Sequence, residues 1–121
     1  MLMVIGEKKM NNAEFNEVVD NRIDKILETL KRKGEEYSTD DNRFHNFDVS
    51  AIRQQTTPFK ALNGMMEKHA VSVDDMIQRP FIATPQMVEE KIGDFINYLI
   101  LLEGLFVRAF KNINKSSFDK L

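Results

Sequence analysis

The sequence contains no cysteine and no marked excess of charge of either sign. Without thiols there is no disulfide, no thiolate metal site and no cysteine nucleophile. The 17 Lys and Arg residues nearly balance 19 Asp and Glu residues, for a formal net charge of −2. The five glycines are scattered, and neither a Walker-type phosphate loop nor a Gly-x-Ser-x-Gly nucleophile motif occurs. Thiol catalysis and P-loop chemistry are therefore excluded, and no nucleic-acid or membrane partner is expected, since both need a positive excess.

No stretch of the chain is apolar enough to predict a signal peptide or a membrane span. Residues Met1–Gly6 are apolar, but one acidic and two basic residues follow at once. The most apolar stretch, Phe95–Val107, is interrupted by Asn97 and Glu103, and it falls short of the roughly 20 residues that cross a bilayer. We therefore expect a cytoplasmic protein.

The length and composition fit a single all-α domain. With 42% hydrophobic and 30% charged residues, the chain has the balance of one compact globular unit over residues 1–121, with a short lead over 1–10 and a polar tail over 112–121. Apolar residues recur three and four apart in four or five segments, which predicts a compact bundle of four to five helices. Leu2–Ile5 is the only candidate strand, and it has no partner.

Capping residues place the starts of three helices. Asn11 and Glu14 form a capping-box pattern before a periodic apolar run, so the first helix begins there and ends at Gly34 or one turn later. Thr57-Pro58 and Thr84-Pro85 each combine an N-cap threonine with a proline at the first helical position. Each of these pairs predicts the start of a helix.

Two shorter helices and a long final one complete the predicted bundle. Helical spacing over Phe44–Ala51 predicts one short helix, and Ser72–Asp75 is typical of the capped start of another, which Arg79-Pro80 ends. The final helix, from Pro85 to about Phe110, is apolar nearly all round and is expected to be largely buried. A domain of this size has few other residues to pack against the final helix, so we expect part of the apolar surface of that helix to contact another subunit of a homo-oligomer. The default assembly is a symmetric dimer.

The densest group of functional side chains lies over residues 35–47. It contains four carboxylates, an arginine, a histidine, two amides and three aromatic rings within thirteen residues. An arginine fork favours phosphate, and aromatic rings favour stacking on a base. The alternative is a capped turn whose aromatic rings, above all Phe44 and Phe47, enter the core while its charges face water.

A polar stripe interrupts the apolar surface of the final helix. Glu90, Asp94 and Asn97 lie at i, i+4 and i+7, so their side chains point the same way. Two carboxylates on one helix face inside a bundle can hold Mg²⁺; the alternative is that Glu90 pairs with a lysine and Asp94 is solvated. Asn97 has apolar neighbours, and a buried amide there must be hydrogen-bonded within the fold or by a ligand.

Lys68 and His69 complete the candidate residues. Lys68 offers a point charge for phosphate. A lone histidine beside apolar residues, such as His69, is more often a core residue than a ligand. The two histidines of the chain also lack the spacing of zinc ligands. The candidate ligand-binding residues are Tyr37, Arg43, His45, Asn46, Lys68, His69, Lys91, Asn97 and Tyr98. The candidate Mg²⁺ ligands, which apply only to a hydrolase, are Glu36, Asp40, Glu90 and Asp94.

Several motifs resemble a family of small all-α proteins that is common in bacteriophages and prophages. The motifs are Glu36–Phe47, Ala61-Leu62-x-Gly64-Met65, Lys68-His69 and Glu90–Leu99, within roughly residues 33–105. The resemblance implies a phage context, with the host cytoplasm as the location, rather than a particular reaction.

The chain also resembles, more weakly, the all-α nucleotide pyrophosphohydrolases of the MazG and dimeric dUTPase kind. That family holds Mg²⁺ with a Glu-x-x-Glu pair on one helix and a Glu-x-x-Asp pair on a later one. Here Glu14-x-x-Glu17 lies at a capped helix start, and Glu90-x-x-x-Asp94 is one residue wider than the second pair. The two pairs also lie farther apart in sequence than in that family, which leaves both the metal and the hydrolysis open.

Three functions follow as hypotheses. The first is a protein that binds a nucleotide or a similar phosphorylated metabolite and requires no cofactor. In a phage, such a protein could sequester a host immune signal. The second is Mg²⁺-dependent, MazG-like nucleotide hydrolysis. The third is a protein-interaction factor, such as an inhibitor of a host enzyme, whose polar residues only fix the fold. Binding ranks slightly ahead of hydrolysis because the metal motif departs from the family pattern.

Overall fold

Side-chain caps hold the helix starts that the sequence predicts. Asn11 Oδ1 accepts a hydrogen bond from the Glu14 backbone N–H at 2.8 Å, and Glu14 Oε1 accepts one from the Asn11 N–H at 3.3 Å, which together form a capping box. Thr57 and Thr84 each accept a bond from the backbone N–H three residues on, at 3.2 and 3.1 Å, and a proline follows each of them. These three helix starts are confirmed.

The computed structural model describes residues 8–37 and 41–113. In these ranges the helices are α1 (Asn12–Tyr37), α2 (His45–Arg53), α3 (Pro58–Gln78) and α4 (Pro85–Lys111), with a 3₁₀ turn at Pro80–Ile82. The described residues contain no β-strand, and the all-α prediction is confirmed; the candidate strand Leu2–Ile5 lies outside them. No helix in the described ranges is long and apolar enough to cross a membrane.

One predicted helix boundary is corrected, and for α1 the structure has the later of the two ends that the sequence allows. α3 is continuous, so the separate short helix expected at Ser72–Asp75 is wrong. Serine and aspartate cap a helix only where the chain before them is non-helical, and here the helix continues unbroken to the buried Met76 and ends before Arg79-Pro80 as predicted. Gly34 does not end α1, which continues by one further turn to Tyr37.

The core lies between α2, α3 and the second half of α4. Its buried cluster takes one side chain from α2, one from α3 and two from α4, namely Phe47, Leu62, Leu101 and Leu105. The ring of Phe44 lies against Gly104, where a Cβ atom would come within 2.7 Å of it, so this approach requires glycine. Arg108 donates two hydrogen bonds of 2.8 Å to the Asp48 carboxylate. This bidentate pair fixes α2 across α4 and holds the pKa of Asp48 below its usual value.

α4 buries one face rather than its whole circumference. The buried residues, each four apart, are Gly93, Asn97, Leu101 and Leu105. Val88, Leu99 and Phe106, which the apolar spacing assigns to the core, are 39–46% exposed. The expectation of burial nearly all round is therefore wrong for the chain taken alone. The physical reason is that α3 and α1 each pack along only part of the circumference of α4, and the side chains of Arg22 and Phe44 lie over Gly93 and Gly104.

α1 runs beside the first half of α4 in the same direction. Arg22 Nη1 donates to the Glu89 carbonyl oxygen at 3.2 Å, and Lys25 forms an ion pair with the Glu89 carboxylate. Farther along both helices, Lys33 Nζ lies 5.8 Å from the centroid of the Tyr98 ring. The carboxyl-terminal end of α1 therefore lies over the middle of α4, next to α2 and α3.

Candidate functional site

A cavity of about 270 Å³ lies where the four helices meet. Nine described residues line it: Lys33, Arg43, Asn46, Phe47, Lys68, His69, Asn97, Tyr98 and Leu101. Six of the nine are ligand-binding candidates from the sequence, namely Arg43, Asn46, Lys68, His69, Asn97 and Tyr98. The fold thus brings side chains from three separate motifs around one space. We call this space the α1–α4 cavity.

Three cationic side chains line the α1–α4 cavity, one from α1, one from the α1–α2 connection and one from α3. They are Lys33, Arg43 and Lys68, and none of the nine described lining residues is acidic. The Arg43 guanidinium donates a 3.3 Å hydrogen bond to the Leu30 carbonyl oxygen of α1. Burial lowers the pKa of Arg43, but a guanidinium keeps its charge in proteins. The cavity wall is therefore positively charged and favours an anion.

The rings of His69 and Tyr98 form one wall of the cavity. Their centroids are 4.9 Å apart with 30° between the ring planes. Burial lowers the pKa of His69, and Lys68 and Lys33 act in the same direction, while Asp94 partly opposes them from 3.7 Å. The imidazole is therefore mainly neutral near pH 7. A neutral imidazole beside a phenol offers a flat, partly apolar surface next to the three cations.

Asn97 is the one buried polar residue of α4 in the described part of the chain, and it also lines the cavity. The residue is only 4% exposed, and its Oδ1 atom accepts no hydrogen bond from the described residues. Leaving a buried acceptor unpaired costs about 1–3 kcal/mol. The described residues therefore leave this oxygen open to a donor that they do not supply.

The candidate Mg²⁺ ligands are not brought together among the described residues. Glu90 lines a second groove, between α1 and α4, where it accepts a hydrogen bond from Gln86 Nε2 at 3.1 Å. Asp94 borders the same groove and faces His69. Glu36 is exposed near the end of α1, and Asp40 lies outside the described residues. Within the described ranges, no group of three or more His, Asp or Glu side chains is arranged to hold a metal ion.

Three of the predicted ligand-binding residues are not among the described residues that line the cavity. His45 is exposed at the first position of α2, and Lys91 lies on α4 near His69, where its charge helps to lower the pKa of that imidazole. Tyr37 is the last residue of α1, and its side chain lies outside the described set. Their predicted role in binding stays a prediction.

Sequence reasoning missed three of the lining residues. Lys33 lies three positions after Leu30 and is therefore on the same helix face as a residue that packs against the core, a spacing that is visible in the sequence. Phe47 was assigned to the core, and it is both a core residue and part of the cavity wall. Leu101 follows Asn97 by four residues and shares its face.

No family model, curated protein or solved structure matches the chain. The geometry and charge of the cavity are therefore the basis for a functional proposal.

Proposed function

We propose that the protein binds a small phosphorylated metabolite of the nucleotide type in the α1–α4 cavity. The observation that carries this proposal is the combination of Lys33, Arg43 and Lys68 around a space with no acidic described residue in its wall. Three cations around a concave site favour a group with more than one negative charge, as a phosphate has near pH 7. No metal is needed for this recognition.

The remaining wall supports a ligand that also carries a planar ring. The rings of His69 and Tyr98 offer a stacking surface, and stacking of a base on an aromatic ring contributes about 1–3 kcal/mol. The unpaired Oδ1 of Asn97 would accept a hydrogen bond from an amino or imino group of a base. The cavity volume of about 270 Å³ is close to the lower end of small-molecule sites, which begin near roughly 300 Å³. It therefore favours a mononucleotide-sized ligand.

A second candidate function is Mg²⁺-dependent hydrolysis of the bound nucleotide. It is favoured by the position of Asp94, which lines the groove between α1 and α4 and whose carboxylate lies 3.7 Å from His69 of the cavity wall. Glu90, one helical turn before Asp94, is the nearest second carboxylate on the same helix face. Chelation by EDTA would abolish this reaction and leave simple binding unchanged.

The wider setting is also a proposal. The motifs that resemble the phage family support a role in a host cytoplasm, where tight binding without chemistry would sequester a nucleotide signal. The near-neutral charge of the chain supports a small molecule, rather than a nucleic acid or a membrane, as the ligand. We also propose that the protein acts as a homo-oligomer.

The test is to incubate the protein with Mg²⁺ and a panel of linear and cyclic nucleotides and to chromatograph the small molecules before and after heat denaturation. A binder removes one nucleotide from solution and returns it intact on denaturation, whereas a hydrolase converts it. Arg43→Gln and Lys68→Gln should each weaken retention about 10- to 100-fold, since a lost hydrogen bond to a charged group costs about 1.5–3 kcal/mol.

The matched controls are Arg53→Gln and Lys60→Gln, which remove the same charges from exposed positions outside the cavity. They should retain the nucleotide as the unmodified chain does. If every nucleotide stays free and unchanged at micromolar protein, the proposal is refuted, and a protein partner becomes the leading explanation.

A further inference from the structure

The α1–α4 cavity adjoins the groove between α1 and α4, and one residue belongs to both. Asn97 lines the cavity and also lines the groove, which has a volume of about 340 Å³. Asp94 lines the groove three residues earlier on α4, so the two side chains are neighbours on one helix face. We call the place where cavity and groove adjoin, marked by Asp94 and Asn97, the junction.

The junction presents hydrogen-bond acceptors. Asn97 is 4% exposed, and its Oδ1 atom accepts no hydrogen bond from the described residues. The Asp94 carboxylate lies 3.7 Å from His69 Nδ1, which is longer than a hydrogen bond, and its side chain is 40% exposed. The two carboxylate oxygens and the amide oxygen are therefore the acceptors that a ligand in the cavity meets at this end.

The positive charges of the chain leave the Asp94 carboxylate available. Two cations of the groove are engaged elsewhere, since Arg22 donates to the Glu89 carbonyl oxygen and Lys25 forms an ion pair with the Glu89 carboxylate. No lysine or arginine of the described ranges forms a salt bridge with Asp94. A ligand with hydrogen-bond donors would therefore supply the partners that this carboxylate lacks.

The common nucleotide bases differ in how well they fit an edge made only of acceptors. Guanine presents two adjacent donors, N1–H and the amino group at C2. Adenine and cytosine each place an acceptor nitrogen beside their amino group, and uracil places its N3–H between two carbonyl oxygens. Because an acceptor that faces a carboxylate is repelled and left unpaired, these three bases fit the junction less well than guanine.

We propose that the ligand of the α1–α4 cavity is a guanine nucleotide whose base edge is recognised by Asp94 and Asn97. The Asp94 carboxylate accepts hydrogen bonds from N1–H and from the amino group, and Asn97 Oδ1 accepts the second amino hydrogen. The ring lies against the wall formed by His69 and Tyr98. This inference rests on the proposed binding function, and it uses Asp94 to select the base rather than to hold Mg²⁺.

The test is isothermal titration calorimetry of the full chain with GMP, IMP and AMP. IMP differs from GMP only by the missing amino group at C2, so the pair isolates one set of hydrogen bonds. GMP should bind about 10-fold or more tightly than IMP, because the lost bonds go to a charged acceptor. AMP should bind more weakly than GMP as well, because its N1 acceptor faces the carboxylate. These comparisons use the unmodified chain and depend on no variant.

The variant Asp94→Asn tests the residue itself. We expect the ratio of GMP affinity to IMP affinity to fall below about 3-fold, because an amide supplies one acceptor and turns a donor toward the base. The ratio cancels any general gain in anion affinity that comes from removing a negative charge. Asp74→Asn is the matched control, since it makes the same chemical change at an exposed position of α3 that lines neither the cavity nor the groove. It should keep the ratio of the unmodified chain.

The outcomes separate this inference from the binding proposal. Equal binding of the three monophosphates, or tightest binding of AMP, would overturn the guanine assignment and leave the phosphate site standing. A ratio that Asp94→Asn leaves unchanged would overturn the role of Asp94. If none of the three binds, the guanine assignment is overturned, and the wider nucleotide panel decides whether the binding proposal falls with it.

Discussion

Replacing Asn97 by leucine should stabilise the protein and abolish ligand binding. The amide is 4% exposed and its Oδ1 is unpaired, which costs about 1–3 kcal/mol in the folded state. Leucine has the same number of side-chain heavy atoms, branches at the same carbon and carries no polar atom, and the adjoining cavity of about 270 Å³ gives room for its two methyl groups, which are bulkier than the amide oxygen and nitrogen. We therefore expect the free energy of unfolding to rise by about 1–3 kcal/mol, or roughly 4 °C in Tm per kcal/mol for a domain of this size.

The assay is urea unfolding of ligand-free protein at pH 7, followed by circular dichroism, with nucleotide retention measured on the same samples. Asn63→Leu is the matched control, since it makes the same change on the exposed side of α3. It should change the free energy of unfolding by no more than about 0.5 kcal/mol and should leave nucleotide retention unchanged. A destabilisation of more than about 1 kcal/mol by Asn97→Leu would show that the amide is satisfied within the fold. A stabilised variant that still binds would show that Asn97 does not contact the ligand.

Three further predictions concern pH and close packing. The pKa of His69 is lowered in the folded state, so near and below about pH 6.5 the unfolded state binds more protons than the folded state. Stability should therefore fall as the pH drops from 7 through the folded pKa, and His69→Asn should flatten that slope in urea titrations. Gly104→Ala places a Cβ 2.7 Å from the Phe44 ring and should cost about 1–3 kcal/mol. Gly64→Ala meets nothing within 4 Å and should raise stability by about 0.5–1 kcal/mol, measured by the same unfolding assay.

The helix starts were predictable because their signals are local. The Asn11–Glu14 capping box and the two Thr-Pro pairs act over three or four residues, and the structure forms all three. The boundary error in α3 has the opposite cause. Serine and aspartate favour a helix start only when the preceding chain is free to leave the helix, and packing of α3 on α4 decides that through residues far away in sequence.

The buried face of α4 was the hardest feature to predict. Apolar spacing favours Val88, Leu99 and Phe106 as core residues, yet the face of α4 that α1 and α3 bury carries Gly93, Asn97, Leu101 and Leu105. The spacing of apolar residues shows that a helix has an apolar face. Where apolar residues lie nearly all round a helix, as on α4, the spacing does not show which face a neighbouring helix will pack against. At Gly93 and Gly104 the absence of a side chain leaves room for the side chains of Arg22 and Phe44.

Six cavity residues were predictable as chemistry-bearing side chains, although the sequence did not show that they share one space. Arg43, Lys68 and Asn97 lie on different elements, and only the fold brings them together. The unpaired Oδ1 of Asn97 was beyond sequence reasoning, because it depends on which donors pack around it. The sequence required only that a buried amide there should have a partner.

The chain contains only two histidines, and this permits the most direct test of the central claim. The imidazole proton signals of His69 and His45 can be followed by NMR while a nucleoside monophosphate or the matching unphosphorylated nucleoside is added. Binding in the α1–α4 cavity predicts that the monophosphate shifts the His69 signals saturably and raises the pKa of His69, because an anion stabilises the imidazolium, while exposed His45 does not move. If no monophosphate shifts His69, or if both histidines shift alike, the claim that this cavity binds phosphorylated ligands is contradicted.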